Sequence, residues 1–359
     1  MKVVLVAEQL RRRVPGGIGT YVRGLATGLA ALPGGPDVTL WASAARGDGD
    51  DPLAGLGDVR TSRLPGPLLT RAWDAGLAGV PPGFDVQHAT SLAVPPPRST
   101  PTTVLVHDVA FRHVPDAYPR RGRRWHEAAL QRAIRRARVL AAPSPETADD
   151  LRAAGAPAER VRVLTDPYGC DHLPPADATG AAALLQRLRV DGEYLLTVST
   201  LEPRKNLPRL LAAYRAARPR LPEPWPLVVV GPGGWRDALV PEAGVVLAGV
   251  VPAAVLAGLY GRARLVAYVP LLEGFGLPAV EAMYACAPVV ASPMPSTKGA
   301  AFEVDPRDTD AIADALVQVG GQEGVRSQLV TAGVLRSSEL TWEAAARRHA
   351  ELWTEVAGG

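Results

Sequence analysis

Cysteine is nearly missing from this chain. Only Cys170 and Cys286 occur, which leaves no disulfide framework and no metal-ligand spacing. Both stand in apolar or turn contexts and are expected to be buried, inert thiols. Lysine is almost as rare: it occurs at positions 2, 205 and 298, so arginine carries nearly all the positive charge. With alanine, glycine and proline abundant, this is the usage of a GC-rich bacterial coding bias. No uninterrupted apolar run approaches the roughly 20 residues that a membrane-spanning helix needs. The N-terminus opens directly on an apolar strand, Val3 to Ala7, without signal-peptide design, so the expectation is a soluble, cytoplasmic chain. A large charge excess is lacking too. A net charge of +3 over 359 residues argues against a dedicated nucleic-acid binder. Absent as motifs are a Gly-x-x-x-x-Gly-Lys phosphate loop and a His-Glu-x-x-His zinc pattern, a Gly-x-Ser-x-Gly elbow, and an acidic metal cluster. No metal and no resident cofactor are expected.

What is present is enough apolar material, 47% of residues, for globular cores rather than disorder. The length suits two domains. Apolar runs alternate with helical periodicities: Val3–Ala7, Val38–Ala42, Asp85–His88, Thr102–His107, Val139–Pro143 and Val161–Leu164 read as strands of one sheet. Tyr194–Ser199, Leu227–Val230, Val245–Ala248, Leu265–Val269, Pro288–Ala291 and Ala301–Val304 read as strands of a second. Residues 46–70, rich in Gly, Asp and Pro, read as surface connection. Pro167-Tyr168-Gly169 and Pro174-Pro175 mark a turn and a linker between two similar α/β halves. Alternation of this kind predicts mostly parallel sheets, whose ligands gather at the carboxyl ends of the strands.

The most informative stretch is Glu273-Gly274-Phe275-Gly276-Leu277-Pro278-Ala279-Val280-Glu281. It joins the Leu265–Val269 strand to a helix on which Val280, Met283 and Tyr284 recur at helical spacing. Pro278 fits the first helical turn, where a missing N–H costs nothing. The free N–H groups and the dipole of a helix start favour an anion. Glu273 before the turn and Glu281 one turn inside the helix can accept hydrogen bonds from hydroxyls flanking a phosphate. That combination describes a nucleotide sugar. The plain alternative is connection chemistry beside a solvated face.

A second junction agrees with the first. The strand ending at Ser199 runs through Thr200-Leu201-Glu202-Pro203-Arg204-Lys205-Asn206 into a helix bearing Leu207, Leu210, Leu211 and Tyr214. Arg204 and Lys205 beside a helix start suit a diphosphate. Lys205 is one of three lysines in an arginine-biased chain, a weak sign that a compact ammonium is wanted there. The competing reading is a surface pair. Gly16-Gly17 after the first strand suit close backbone approach to a substrate, or an ordinary turn. The spacing is wrong for a dinucleotide fingerprint, since Val22 stands where a third glycine belongs. Strands also end in Gly231-Pro232-Gly233-Gly234 and in Gly249-Val250-Val251-Pro252. His88 and His107 sit at strand ends, and His107, followed by Asp108, is the better functional candidate. Residues 112–138 hold nine arginines against Asp116 and Glu127, an excess of 9 − 2 = +7. This is a solvated helix or a surface for an anionic membrane or acceptor.

Taken together, Gly16-Gly17, Glu202-Pro203-Arg204-Lys205-Asn206 and Glu273 to Glu281 resemble the retaining glycosyltransferases of family 4, of bacterial mannosyl- and rhamnosyltransferase type. Val304-Asp305-Pro306 and Thr341-Trp342-Glu343 extend the likeness over nearly the whole chain. The resemblance implies the GT-B fold: two Rossmann-like domains with parallel sheets facing across a cleft. Residues 1–175, joined by a C-terminal helix at 342–359, would be the acceptor side, and 190–340 would bind the donor. Matching positions imply that Arg204 and Lys205 hold the diphosphate and Glu281 the ribose. Glu273 and the N–H groups of Gly274, Phe275, Gly276 and Leu277 would meet the sugar and the distal phosphate. Gly16 and Gly17 would approach that phosphate from the first domain. His107 would lie near the reacting carbon, and Val250 and Val251 would face the base.

The implied reaction moves a hexose of mannose or 6-deoxyhexose type from a GDP-, dTDP- or UDP-linked donor to a hydroxyl. The acceptor would be a lipid-linked saccharide, a polysaccharide or a natural product. Transfer would be metal-independent, with retained configuration, and peripheral at the plasma membrane if residues 112–138 bind lipid. A non-catalytic nucleotide-sugar-binding protein and a nucleotide-sugar epimerase are the alternatives. The chain departs from the family at Ser292 to Phe302, which is shorter than usual and lacks a Pro-Glu pair, and at Cys286, where glycine is common.

Overall fold

The computed structural model describes residues 1–45, 51–200, 202–232 and 242–358. Leu201, Gly233 and Gly234 of the sequence reading lie outside the described residues, as do 46–50. The chain divides into two compact units, residues 1–169 with 340–359, and residues 170–339. In the first unit the strands are β1 (Lys2–Val6), β2 (Asp37–Ser43), β3 (Asp58–Ser62), β4 (Val86–Ala89), β5 (Thr102–Leu105), β6 (Val139–Ala142) and β7 (Val161–Val163). They form one sheet in the order β3-β2-β1-β4-β5-β6-β7, with every pairing parallel. In the second unit β8 (Leu195–Val198), β9 (Leu227–Val230), β10 (Val245–Gly249), β11 (Leu265–Tyr268), β12 (Val289–Ala291) and β13 (Phe302–Glu303) run in the order β10-β9-β8-β11-β12-β13. These pairings are parallel too. The central strands are near-continuous Val, Leu and Ala because helices cover both faces; Val3 to Leu5 and Leu265 to Ala267 have no exposed surface.

Both sheets reverse their winding at one place, between β1 and β4 in the first and between β8 and β11 in the second. Loops leaving two neighbouring strands there diverge to opposite faces and open a crevice at the carboxyl ends. The second of these switch points fixes where function is sought.

Two sequence expectations fail. Among the described residues, 51–74 is not mere connection: it supplies edge strand β3 and the helix Gly66–Asp74. An edge strand with mostly exposed residues needs no apolar run, so Asp58, Arg60, Thr61 and Ser62 hide it. Gly66-Pro67 look like a turn but are the first two helical positions. The second failure is Cys286. Cys170 is buried, as expected, but Cys286 is exposed. It follows the Leu277–Tyr284 helix with φ +60°. Its N–H reaches Met283 O and that of Ala287 reaches Ala282 O. This is the paired closure in which a left-handed residue, usually glycine, ends a helix. A cysteine side chain there is strained. Cys286→Gly is therefore expected to stabilise the second unit by about 1 kcal/mol, raising its melting temperature by about 2–4 °C. A calorimetric scan showing no rise would refute this account.

The last helix, Trp342–Gly358, packs along Gly16–Ala31 in the first unit. Gly24 and Gly28 let it approach: a Cβ on Gly24 would lie 2.0 Å from the Trp342 ring. Beneath this contact runs a directed chain of hydrogen bonds. Trp353 Nε1–H can only donate, and it donates to His88 Nδ1 (3.3 Å). His88 Nε2–H then donates to the Tyr21 hydroxyl (2.9 Å), and Tyr21 O–H to His349 Nε2 (2.7 Å). His349 Nδ1–H ends the chain on Ala345 O. His88, a strand-end candidate in the sequence, is thus a wholly buried structural residue.

Candidate active site

Loop geometry at the second switch point begins with Asn206. It takes a left-handed conformation (φ +60°) between the Pro203–Lys205 turn and the Leu207–Ala217 helix. Its amide donates to Val269 O (3.0 Å), beyond β11, and to Pro306 O (2.7 Å). Leu271 N–H also reaches Arg204 O. Together these bonds hold the loop after β8 against the loop after β11.

The side chains brought together are Arg204, Lys205, Tyr268 and Glu273. One carboxylate oxygen of Glu273 accepts from Arg204 Nη1 and from Lys205 Nζ, each at 2.6 Å. Lys205 Nζ also donates to the Tyr268 hydroxyl at 2.7 Å, and the Tyr268 hydroxyl bonds Glu273. The Glu273 and Lys205 side chains are each only 11% exposed, so these bonds form in a medium that strengthens them. Burial alone pushes the Glu273 carboxyl up, but the charges of Lys205 and Arg204 outweigh it and hold it below the usual range. Tyr268 moves the opposite way: burial first, then the Glu273 charge, raises its phenol well above the ordinary value.

Glu281 has a different set of partners. His172 Nε2 lies 3.1 Å from one oxygen and Tyr260 O–H donates to the other at 3.0 Å. The charge of Glu281, like that of Glu273, helps to raise the Tyr268 phenol. Between them Gly276 caps the Leu277–Tyr284 helix with φ +96°, and no side chain caps that end. A Cβ on Gly276 would meet Met294 Sδ at 2.2 Å, so this glycine answers to both conformation and space. The short Ser292–Ala301 segment forms the wall here, tied by Ser292 Oγ to Pro270 O (2.7 Å). On the helix, Val280 and Met283 face inward, while Tyr284 points to solvent.

The other sequence candidates stand on other segments of the chain. Val250 and Val251 follow β10, with Val250 exposed. Gly16 and Gly17 are exposed at the start of the first unit's first long helix. His107, beyond β5, has both ring nitrogens engaged: Nε2–H donates to Thr90 O (2.8 Å), and Nδ1 accepts from the Tyr168 hydroxyl. Burial lowers its basicity, and no other site candidate touches it in these bonds. Tyr268, His172, Tyr260 and Asn206 escaped the sequence reading. Asn206 alone carried a signal, as the residue closing the Arg-Lys turn. Among the described residues, no group of three or more His, Cys, Asp or Glu could hold a metal ion, and no helix is long and apolar enough to cross a membrane.

Residues 15–167 match the family model "Glycosyltransferase Family 4", and residues 192–320 match "Glycosyl transferases group 1". Among curated proteins, the O-antigen chain mannosyltransferase B of Escherichia coli is 29% identical over 276 residues, covering 73% of this chain and 70% of that protein. The D-inositol 3-phosphate glycosyltransferase of Xylanimonas cellulosilytica is 30% identical over 241 residues, 61% of this chain and 57% of its own. Of solved structures, sucrose-phosphate synthase from Thermosynechococcus elongatus superposes with a TM-score of 0.74 at 19% identity, covering 100% of this chain and 99% of the other. Anabaena HepE, solved with UDP and glucose, gives 0.71 at 17% identity, covering 99% and 100%. Each unit carries one of the two family matches on a parallel Rossmann-like sheet, and the chain belongs to the GT-B-fold glycosyltransferases related to family 4, enzymes that transfer a sugar.

Proposed function

We propose that this enzyme transfers a hexose, of mannose or 6-deoxyhexose type, from a nucleotide-diphosphate sugar to an acceptor hydroxyl with retained anomeric configuration. The acceptor class is a glycan, a lipid-linked saccharide or a natural product. Residues 190–340 bind the donor; residues 1–175, joined by 342–359, serve the acceptor. The observation that carries this reading is the convergence of Arg204, Lys205 and Glu273 at the switch point of the second sheet. Cleavage of a sugar–phosphate bond leaves added negative charge on the diphosphate while positive charge grows on the sugar. Fixed cations and the N–H groups from Gly274 to Leu277 stabilise that departure without having to reorganise. Arg204 and Lys205, rather than a bound divalent ion, supply the charge.

Glu273 orients both cations and meets sugar hydroxyls. Its oxygen is already shared between two cations, which makes it a poor nucleophile and supports front-face attack over a covalent intermediate. Glu281 receives the ribose, with His172 and Tyr260 fixing its rotamer. Val250 and Val251 border the base, Gly16 and Gly17 serve the distal phosphate, and His107 serves the sugar through its backbone or by exchanging a ring partner. The hexose type is supported by the Escherichia coli mannosyltransferase among the relatives.

A thermal-shift panel of GDP-mannose, dTDP-rhamnose and UDP-glucose tests the reading, followed by NMR of the product's anomeric proton. One donor is expected to stabilise the protein, and that donor's anomeric configuration is expected to persist in the product. Stabilisation by none of them, or inversion, would refute the assignment.

A further inference from the structure

The +7 excess of residues 112–138 does not form one basic face. Arg112 pairs with Glu127, and Arg132 with Asp74. Arg120, Arg121, Arg123 and Arg124 stand exposed at the start of the Arg120–Arg136 helix. Arg135, Arg136 and Arg138 gather at its other end, about 20 Å away at 1.5 Å per residue. There they meet Arg98 and Arg160 around a surface cavity of about 380 Å³ lined also by Ser99 and Thr100. Five arginines face this hollow and no carboxylate lines it.

The position is informative. Thr102, Arg138 and Arg160 lie at or just before the amino ends of β5, β6 and β7. This is the edge opposite to the one carrying Thr90 and His107. Neither the donor-side residues nor the first unit's candidates belong to it.

The cavity is also built in advance. Arg136 is half-buried and fixed by Nη1 donating to Val94 O at 2.7 Å. Arg98 sits at φ +47° in the run Pro95-Pro96-Pro97-Arg98-Ser99-Thr100-Pro101, whose four prolines restrict it. The Arg98 side chain lies against Gly79, where a Cβ would come within 2.9 Å of its Nε. Arg138 N–H is held by Thr102 O. A helix C-terminus favours cations, which accounts for Arg135 and Arg136. It does not account for Arg98, Arg138 and Arg160 converging from other segments against mutual repulsion.

We propose that this arginine cavity at the amino edge of the first sheet binds a phosphate group, carried by an anionic lipid headgroup or by a soluble phosphorylated molecule. Guanidinium forks match phosphate oxygens geometrically, the Ser99 and Thr100 hydroxyls add donors, and a pre-set loop lowers the ordering cost of binding.

The test uses the full chain and Arg138→Gln/Arg160→Gln, two exposed residues with no side-chain bond to the core. Inorganic pyrophosphate is titrated by calorimetry, and sedimentation is run with vesicles of phosphatidylglycerol in phosphatidylcholine. Loss of a charge-assisted bond is worth about tenfold or more in affinity. A pyrophosphate-binding component weakened at least that much in the double variant identifies a soluble phosphate ligand. Vesicle binding lost in the variant identifies a lipid headgroup, and loss in both shows a site open to either. Wild-type protein that binds neither probe, or a double variant that binds both as the wild type does, overturns the proposal. Sugar transfer in solution is expected to be unchanged by the two substitutions.

Discussion

Lys205→Ala is expected to lower kcat/KM about a hundredfold or more, the usual cost of removing one group that stabilises developing charge. Lys205 is bonded at once to Glu273 and Tyr268. Without it, Glu273 keeps Arg204 as partner, so no buried charge is stranded and the fold should survive. The loss of two bonds should cost about 1–3 kcal/mol of stability. The rate loss should exceed any change in donor affinity, because the charge on the departing diphosphate is greatest in the transition state. Lys205→Arg provides a control. It keeps the charge but changes a compact ammonium into a planar fork, and partial activity is the expected result. Full turnover in Lys205→Ala, with the second unit intact by circular dichroism, would remove Lys205 from the reaction.

The legible part of this site was its backbone grammar. A strand, a glycine turn and a proline at a helix start are local features, and both junctions stand where the sequence puts them: Pro203–Lys205 after β8, and Gly276 opening the Leu277–Tyr284 helix. The partners were not legible, because they are set by topology. Tyr268 is the last residue of an apolar strand, and nothing in Leu265 to Tyr268 marks its hydroxyl as the one that meets Lys205. That meeting depends on β8 and β11 being neighbours. His172 was hidden in a stretch that reads as linker, yet it lies in the second unit and reaches Glu281 across 109 residues.

The fold was legible wherever burial on both faces forces apolar runs, and illegible where an element is exposed. The Glu323–Ser338 helix shows the same physics as β3. Its buried residues are Gly333, Arg336 and Ser337, and Val325 and Leu329 are half-buried against the core, so its apolar stripe is short. It is anchored instead by Arg336, which donates from Nε to Ser296 O (2.8 Å) and pairs with Glu339 (3.0 Å). The +7 excess over residues 112–138 misleads for a related reason. Sequence sums charge along the chain, whereas the fold pairs some arginines and separates the rest to two ends of a helix.

Mild acid is expected to loosen the first unit selectively. His88 and His349 are wholly buried, and a second proton on either displaces a donor of the chain; at His88 Nδ1, which also lies 2.8 Å from Thr103 Oγ1, that donor is Trp353 Nε1–H. His349 Nδ1–H already donates to Ala345 O, and its Nε2 accepts from Tyr21. A proton on Nε2 would face the Tyr21 hydroxyl hydrogen, which cannot turn away without colliding with His88 Nε2–H. Burial, the main cause, with Arg348 and His107 nearby, brings His349 down to about 4. Burial and the neighbouring His349 and His107 take His88 well below its ordinary value. In the unfolded chain both imidazoles titrate near 6.5. The unfolded state therefore binds more protons below that pH, and stability falls as pH drops from about 6.5 toward the folded values. Between pH 7.5 and 5 His349 should remove about 2 kcal/mol, and His88 lowers stability in the same direction. Hydrogen exchange of buried amides in Gly16–Ala31 and Trp342–Gly358 reads this directly, since both helices hang on the chain from Trp353 to His349. In His349→Gln, an amide can still accept from Tyr21 but does not titrate, so the slope should fall by about 1.4 kcal/mol per pH unit. Protection that stays flat across this range in the wild type would mean that the two imidazoles accept protons without disturbing the last helix, and that the directed chain does not hold it in place.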